Sequence, residues 1–295
     1  MAILSVDNLS KNYGPIKALK NVSFSVPAGT VYGILGPNGS GKTTLLGIVM
    51  DVLKASGGGY TLFDETPTEN HRKQIGTLLE TPNFYHYLSA VENLKIAAAI
   101  KGRGEDDIDR VLQIVNLAHR KTSKFSTYSL GMKQRLAIGA ALLGNPEVLV
   151  FDEPTNGLDP VGIAEIRELI KKLSHSGKTI IMASHLLDEV EKVCTHVAIL
   201  KQGTLITDGN VDEILVNEDV VEVSAADLQQ LKQVMQQMPG QTKVDLSDKF
   251  VQAFFPSGTA DLASVNQFCF SKGVVLSQLQ LRKKSLESKF FELTN

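Results

Sequence analysis

The chain has 295 residues, 43% of them hydrophobic, which is enough to fill one large core or two modest ones. With 30 Lys and Arg against 32 Asp and Glu, it lacks the basic surplus that a nucleic-acid face or a polybasic membrane tether needs. No stretch approaches the roughly 18 unbroken apolar residues of a membrane helix, and Met1 to Asp7 do not read as a secretory signal.

In chain order, residues 3–6 and 22–26 predict two strands, joined by the turn-rich run Lys11-Asn12-Tyr13-Gly14-Pro15. Residues 31–35, Val-Tyr-Gly-Ile-Leu, predict a short buried strand. Gly36-Pro37-Asn38-Gly39-Ser40-Gly41-Lys42-Thr43 follows, a complete G-x-x-x-x-G-K-[ST] phosphate loop, and residues 44–50 predict the helix behind it. Strand, glycine loop and helix in that order are the context the motif requires. The glycines let successive N–H groups face a phosphate, and the helix N-terminus adds partial positive charge. Lys42 supplies a full charge at the β/γ-phosphates, and the Thr43 hydroxyl can ligate Mg2+.

Residues 84–145 are largely helical in pattern. Val91, Leu94, Ile96 and Ala98 begin one helix; Ile108, Val111, Leu112, Val115 and Leu117 carry a second; a third runs from about Gly131 to Leu143. Val148-Leu149-Val150-Phe151 reads as a strand buried on both faces of a parallel sheet. It ends at Asp152-Glu153, where Asp152, beside the phosphate loop, can hold Mg2+ and Glu153 can polarise an attacking water. A helix over 163–173, a buried strand over 179–183 and a hairpin around Lys201-Gln202 follow. After Asn217 the character changes, and the pattern is βαββαβ without a catalytic motif. Cys194 and Cys269 fit no metal or redox spacing and read as buried hydrophobes of a reducing compartment. His71, His86, His119, His175 and His196 form no spaced cluster.

Tyr128-Ser129-Leu130-Gly131-Met132-Lys133-Gln134-Arg135 precedes the acidic strand. Pro154-Thr155-Asn156-Gly157-Leu158-Asp159-Pro160 continues it, and Ser184-His185 ends the next strand. Their order and spacing resemble the nucleotide-binding domain of ATP-binding cassette (ABC) transporters. The resemblance implies an α/β fold over 1–218: a P-loop NTPase cassette with a RecA-like core sheet, an antiparallel β subdomain and a helical subdomain near 84–145. A small α+β accessory domain would occupy 219–295. It implies ATP held by the phosphate loop and Thr44, with Mg2+ at Thr43, Asp152 and Glu80. Glu153, Lys42 and His185 would be catalytic, His185 as the switch histidine on the γ-phosphate. Ser129 and Gly131 would contact the nucleotide of a second copy, and Asp159 would lie in the loop crossing that interface. Two readings stand for Tyr13: the aromatic that stacks on adenine, or a loop aromatic packed on the core.

Two positions depart from the family pattern. The signature usually reads Leu-Ser-Gly-Gly-Gln, and here Leu130 adds a side chain where glycine is usual. Glu80 stands where the family carries glutamine; its added charge predicts weaker triphosphate binding without metal and a steeper Mg2+ dependence. Both variants, with the C-terminal extension, resemble the antibiotic-efflux and bacteriocin-immunity branch. That branch implies an ATP-hydrolysing subunit at the cytoplasmic face of the membrane, paired with a separate permease and with no nucleic-acid partner. Phe84, Tyr85 and Tyr87 either dock the permease or pack within the helical subdomain. A soluble ABC ATPase acting on ribosomes or DNA is a second class, against which one uninterrupted cassette weighs; the intact Lys42, Asp152, Glu153 and His185 weigh against a non-hydrolysing module. The appendage could dimerise, regulate or cover the cassette, and the sequence does not choose among these, nor does it identify cargo or direction.

Overall fold

The computed structural model describes residues 1–79, 83–215, 219–256 and 258–283, with Leu286 and Phe290. The chain divides into two compact units, Met1–Gly209 and Asn210–Asn295.

The first unit opens with a long hairpin, β1 (Ala2–Tyr13) and β2 (Ile16–Pro27), followed by β3 (Val31–Leu35), α1 (Lys42–Val49) and β4 (Gly57–Leu62). Strands β2, β1 and β4 form an antiparallel sheet in that order. The hairpin is more than twice as long as the apolar runs alone predict. Its outer part is polar and exposed, and it is carried through register shifts beside Asn8 and Asn21, both at positive φ. Strand β4 was not legible, because Gly57-Gly58-Gly59 lacks strand propensity. Gly58 is nonetheless required: a Cβ there would lie 2.1 Å from Asn8 O. Close backbone approach at a bulge decides the residue.

Next come α2 (Glu69–Lys73), β5 (Ile75–Leu78), α3 (Ala90–Lys101), α4 (Ile108–Ile114) and α5 (Leu130–Leu142). Then follow β6 (Val148–Asp152), α6 (Pro160–His175), β7 (Thr179–Ser184), α7 (Leu187–Glu191), β8 (His196–Lys201) and β9 (Thr204–Asn210). A six-stranded sheet runs β5-β6-β7-β3-β8-β9, parallel from β5 through β8. Every residue of β3, β6 and β7 is buried, the pattern of a parallel sheet covered on both faces. Gln202 and Gly203, both at positive φ, close the β8–β9 turn.

Helices α3, α4 and α5 form a cluster around Leu94, Val111, Leu112, Leu136 and Ile138, all buried. Ser89 and Glu92 make a reciprocal capping box at the start of α3, and Gly102 ends it in the left-handed region. The last residue of α3, Lys101, donates its ammonium to Ala140 O at 2.6 Å and Ala141 O at 3.3 Å, carbonyls at the end of α5. Burial lowers its pKa from 10.5 to about 8. Between those values the unfolded chain holds a proton that the folded chain has released, so this group adds stability as pH rises through about 8 to 10.5. Lys101→Met is expected to flatten that rise in urea denaturation midpoints taken at pH 7.5 and 9.5; an unchanged slope would refute it.

The second unit contains α8 (Val211–Leu215), β10 (Asp219–Ala225), α9 (Leu228–Met235), β11 (Lys243–Leu246), β12 (Val251–Phe255), α10 (Leu262–Ser271) and β13 (Leu276–Lys283). From β10 onward this is the βαββαβ order expected, and the antiparallel sheet runs β11-β12-β10-β13, a ferredoxin-like arrangement. Asp227 and Asp261 cap α9 and α10. Val221, Val223, Leu231, Met235, Val251, Val265 and Cys269 form the core. Glu222 alternates with those valines and is also buried. Its carboxylate accepts from Gln252 Nε2 at 2.9 Å and Gln280 Nε2 at 2.7 Å, and pairs with Arg282 Nε at 2.8 Å, the full pairing a buried charge demands.

Candidate nucleotide site

Strand β3 ends at Leu35, and the loop leaves it through Gly36 at φ 153°. A Cβ on Gly36 would lie 2.2 Å from Leu200 O, and one on Gly41, at φ 106°, 2.6 Å from Ala18 O. The loop is therefore clamped from two sides by backbone. Ser40 N donates to Pro37 O at 3.1 Å, and Ser40 O accepts from Gly203 N at 3.0 Å, so the β8–β9 turn holds the loop as well. Helix α1 begins at Lys42 with Gly41 as its N-cap, and no side chain caps it. Its first N–H groups are left for an external acceptor, which is the donor set an anion requires.

A cleft of about 580 Å³ opens on this loop, lined by Asn38, Gly39, Ser40, Gly41, Lys42, Thr43 and Thr44, by Ile16, Lys17, Ala18 and Lys20 of β2, and by Glu153 and Gln202. Among the described residues, the hydroxyl of buried Ser40 has no hydrogen-bond partner. Lys42, only 5% exposed, donates to Gly36 O at 2.8 Å and Pro37 O at 3.4 Å and pairs with Glu153 Oε1 at 3.3 Å.

Asp152 ends β6, buried, in register with Ala183 of β7. Strand β7 lies between β6 and β3, so Asp152 stands one strand removed from the strand that leads into the phosphate loop. The chain turns sharply after it. Glu153 sits at φ 48° and donates its N–H to Ala183 O at 3.0 Å. His185, just past the end of β7, reaches Glu153 Oε2 through Nδ1 at 2.8 Å. Lys42, Glu153 and His185 are thus brought together from three elements.

Other expected residues are not in this cleft. Ser129 is the N-cap of α5, accepting from Met132 N, and Asp159 is the N-cap of α6, accepting from Gly162 N at 2.9 Å. A Cβ on Gly131 would meet nothing nearer than 3.9 Å. Leu130 is 49% exposed, so it is accommodated without disturbing the helix start. Tyr13, 45% exposed and under the Lys11 ammonium at 5.0 Å, pairs across the hairpin with Ile16, a lining residue, but does not itself line the cleft. Glu80 lies outside the described residues. Lys17, Lys20 and Gln202 were missed; the 201–202 turn was readable, but its docking on Ser40 was not.

A family model described as ABC transporter matches residues 19–156. The bacitracin transport ATP-binding protein BcrA of Enterococcus faecalis is 33% identical over 99% of this chain and 96% of its own length. The chain belongs to the ABC transporter family. The cassette is also similar to the lantibiotic transport ATP-binding protein SrtF of Streptococcus pyogenes, 37% identical over 71% of this chain and 92% of that one. Among solved structures it resembles cbiO1 of Clostridium perfringens, part of the ABC transporter complex cbiONQ, with a TM-score of 0.66 and 32% identity over 72% of this chain and 90% of that chain. It also resembles the dimeric post-hydrolysis state of the cassette MJ0796 bound to ADP and Pi, with a TM-score of 0.62 and 27% identity over 70% of this chain and 98% of that chain. This ABC protein is accordingly an ATPase that binds nucleotide. Among the described residues, no helix of the cassette is long and apolar enough to cross a membrane.

Proposed function

We propose that this ABC ATPase energises a separate membrane permease that exports an antibiotic-like, peptide or lipid-like substrate, working at the cytoplasmic face of the membrane. The observation that carries the reading is the Lys42–Glu153–His185 cluster on a phosphate cleft, in a chain similar along its whole length to a bacitracin transport subunit. In it, the phosphate loop from Gly36 to Thr44 holds the nucleotide phosphates, Lys42 countering their charge. Glu153 takes the proton of the attacking water, and His185 orients Glu153 and contacts the γ-phosphate. Mg2+ supplies charge neutralisation between the phosphates when bound. The Thr43 hydroxyl and the Asp152 carboxylate have the oxygen chemistry to hold it, and Glu80 is proposed with them on sequence grounds. Tyr13, in the turn beside Ile16, stacks on the adenine.

Ser129, Gly131 and Asp159 cannot serve that cleft from where they lie, and a second copy gives them a use. Two cassettes facing head to tail would bring the α5 N-terminus of each to the nucleotide of the other. Residues 219–295 form an accessory domain. The permease docks on a groove of about 380 Å³ lined by Asn83, Phe84, Tyr85, Asn93, Ile96, Ala97 and Ile100. Asn93 shapes it, accepting from Tyr85 N at 2.8 Å and donating to Tyr85 O at 3.1 Å. Ile100 is 82% exposed, and Tyr87, in edge contact with Tyr85 at 5.9 Å, is 68% exposed, apolar surface open to a partner.

The test is co-expression with candidate six-span permeases and recovery of the pair from detergent-solubilised membranes, with ATP turnover measured on the recovered complex. Ile100→Asp is expected to reduce that recovery at least tenfold, since a carboxylate would be buried unpaired, while thermal stability stays within about 1 °C because the site is exposed. Full recovery of the complex with Ile100→Asp would move the dock elsewhere, and ATP turnover that no co-expressed permease changes would favour the soluble class.

A further inference from the structure

Both oxygens of Glu153 are engaged within the chain. Oε1 is 3.3 Å from Lys42 Nζ and Oε2 is 2.8 Å from His185 Nδ1. The other acceptors of Lys42 belong to its own loop, Gly36 O and Pro37 O. An ammonium has three protons, and this one has three acceptors within reach, only one of them an anion. Glu153 is fixed by its backbone, at φ 48° with its N–H on Ala183 O, and by His185 on its far oxygen. The carboxylate is therefore aimed at the lysine by the fold.

We propose that Glu153 holds the place of an entering phosphate on Lys42, so that nucleotide binding is an exchange of one anion for another on a single lysine. This rests on the reading that the cleft takes the nucleotide phosphates and that Glu153 serves as base. The exchange moves no proton: Lys42 stays an ammonium and Glu153 a carboxylate. It has two consequences. Binding must displace an existing ion pair, which lowers affinity. While Oε1 lies on Lys42 and Oε2 on His185, each oxygen spends its charge on a cation or N–H donor and is a weaker acceptor for a water's proton; the phosphate that takes Lys42 releases Oε1. Substrate thus frees the base that acts on it, and an empty site keeps that base occupied.

The experiment titrates the full chain with a fluorescent ADP in EDTA, so that neither metal nor hydrolysis contributes. Glu153→Gln is expected to tighten ADP binding about fivefold, the worth of one ion pair of this kind. Glu153→Asp keeps the charge but shortens the reach by one methylene, and is expected to tighten binding in the same direction. Removing an anion near phosphates favours ADP by itself, so both are repeated with Lys42→Met. A gain that acts through Lys42 disappears there. The proposal is overturned if Glu153→Asp binds no tighter than wild type, or if the Glu153→Gln gain survives in full with Lys42→Met. Should Lys42→Met bind too weakly to titrate, the Glu153→Asp comparison decides alone. Steady-state hydrolysis by Glu153→Gln tests the base reading separately: normal turnover with the expected ADP series removes the base, while abolished turnover with an unchanged ADP series removes the exchange.

Discussion

Glu153→Gln is expected to lower steady-state ATP hydrolysis by roughly 10²- to 10⁴-fold, the range lost when a positioned base is removed. The amide keeps the size of the side chain and a donor or acceptor for His185, but it cannot take a proton. The adjacent carboxylate, Asp152, is buried at the end of β6 and held by the strand, so it does not replace Glu153. Phosphate release under excess ATP and Mg2+ measures the loss, and size exclusion in ATP measures the second part of the expectation, accumulation of a paired species. Turnover within about threefold of wild type would be too small for a lost base. Binding and turnover should move in opposite directions in this one variant, which a simply misfolded protein cannot imitate.

Gly41→Ala is expected to cost about 3 kcal/mol of stability, combining left-handed backbone strain with overpacking. The added methyl would lie 2.6 Å from Ala18 O and 2.7 Å from Leu19 Cδ2, with Leu19 in the buried core. Backbone oxygen cannot move aside without shifting β2, so the α1 N-terminus moves instead and nucleotide affinity falls with stability. For a chain this long the melting point should drop by roughly 6–12 °C. Gly39→Ala is the control. It also has positive φ, but a Cβ there meets nothing within 4 Å, so only the backbone strain, about 1 kcal/mol, applies. Equal melting points for the two variants would show that packing against β2 does not matter.

Much of the cassette was legible because its signals are local. A four-residue apolar run ending in Asp152-Glu153 reads as a strand covered on both faces, and the phosphate loop carries its own flanks. The βαββαβ order of the second unit followed from alternation and helical spacing alone. What was not legible depends on distant backbone. Strand β4 exists because Gly58 lets β1 approach, although three glycines argue against a strand. Lys20 and Gln202 line the cleft because the β8–β9 turn rests on Ser40, a contact between segments more than 160 positions apart. The placement of β7 between β3 and β6 is likewise a matter of topology. It is what lets His185 approach Glu153 from the next strand end, so motif spacing alone could name the pair but not explain their contact.

The turn that touches Ser40 is one end of β9, whose other end, Asn210, begins the second unit. Seven residues of strand at about 3.3 Å each make a rod of roughly 23 Å. The turn that docks on Ser40 is therefore joined to the first residue of the second unit by unbroken strand.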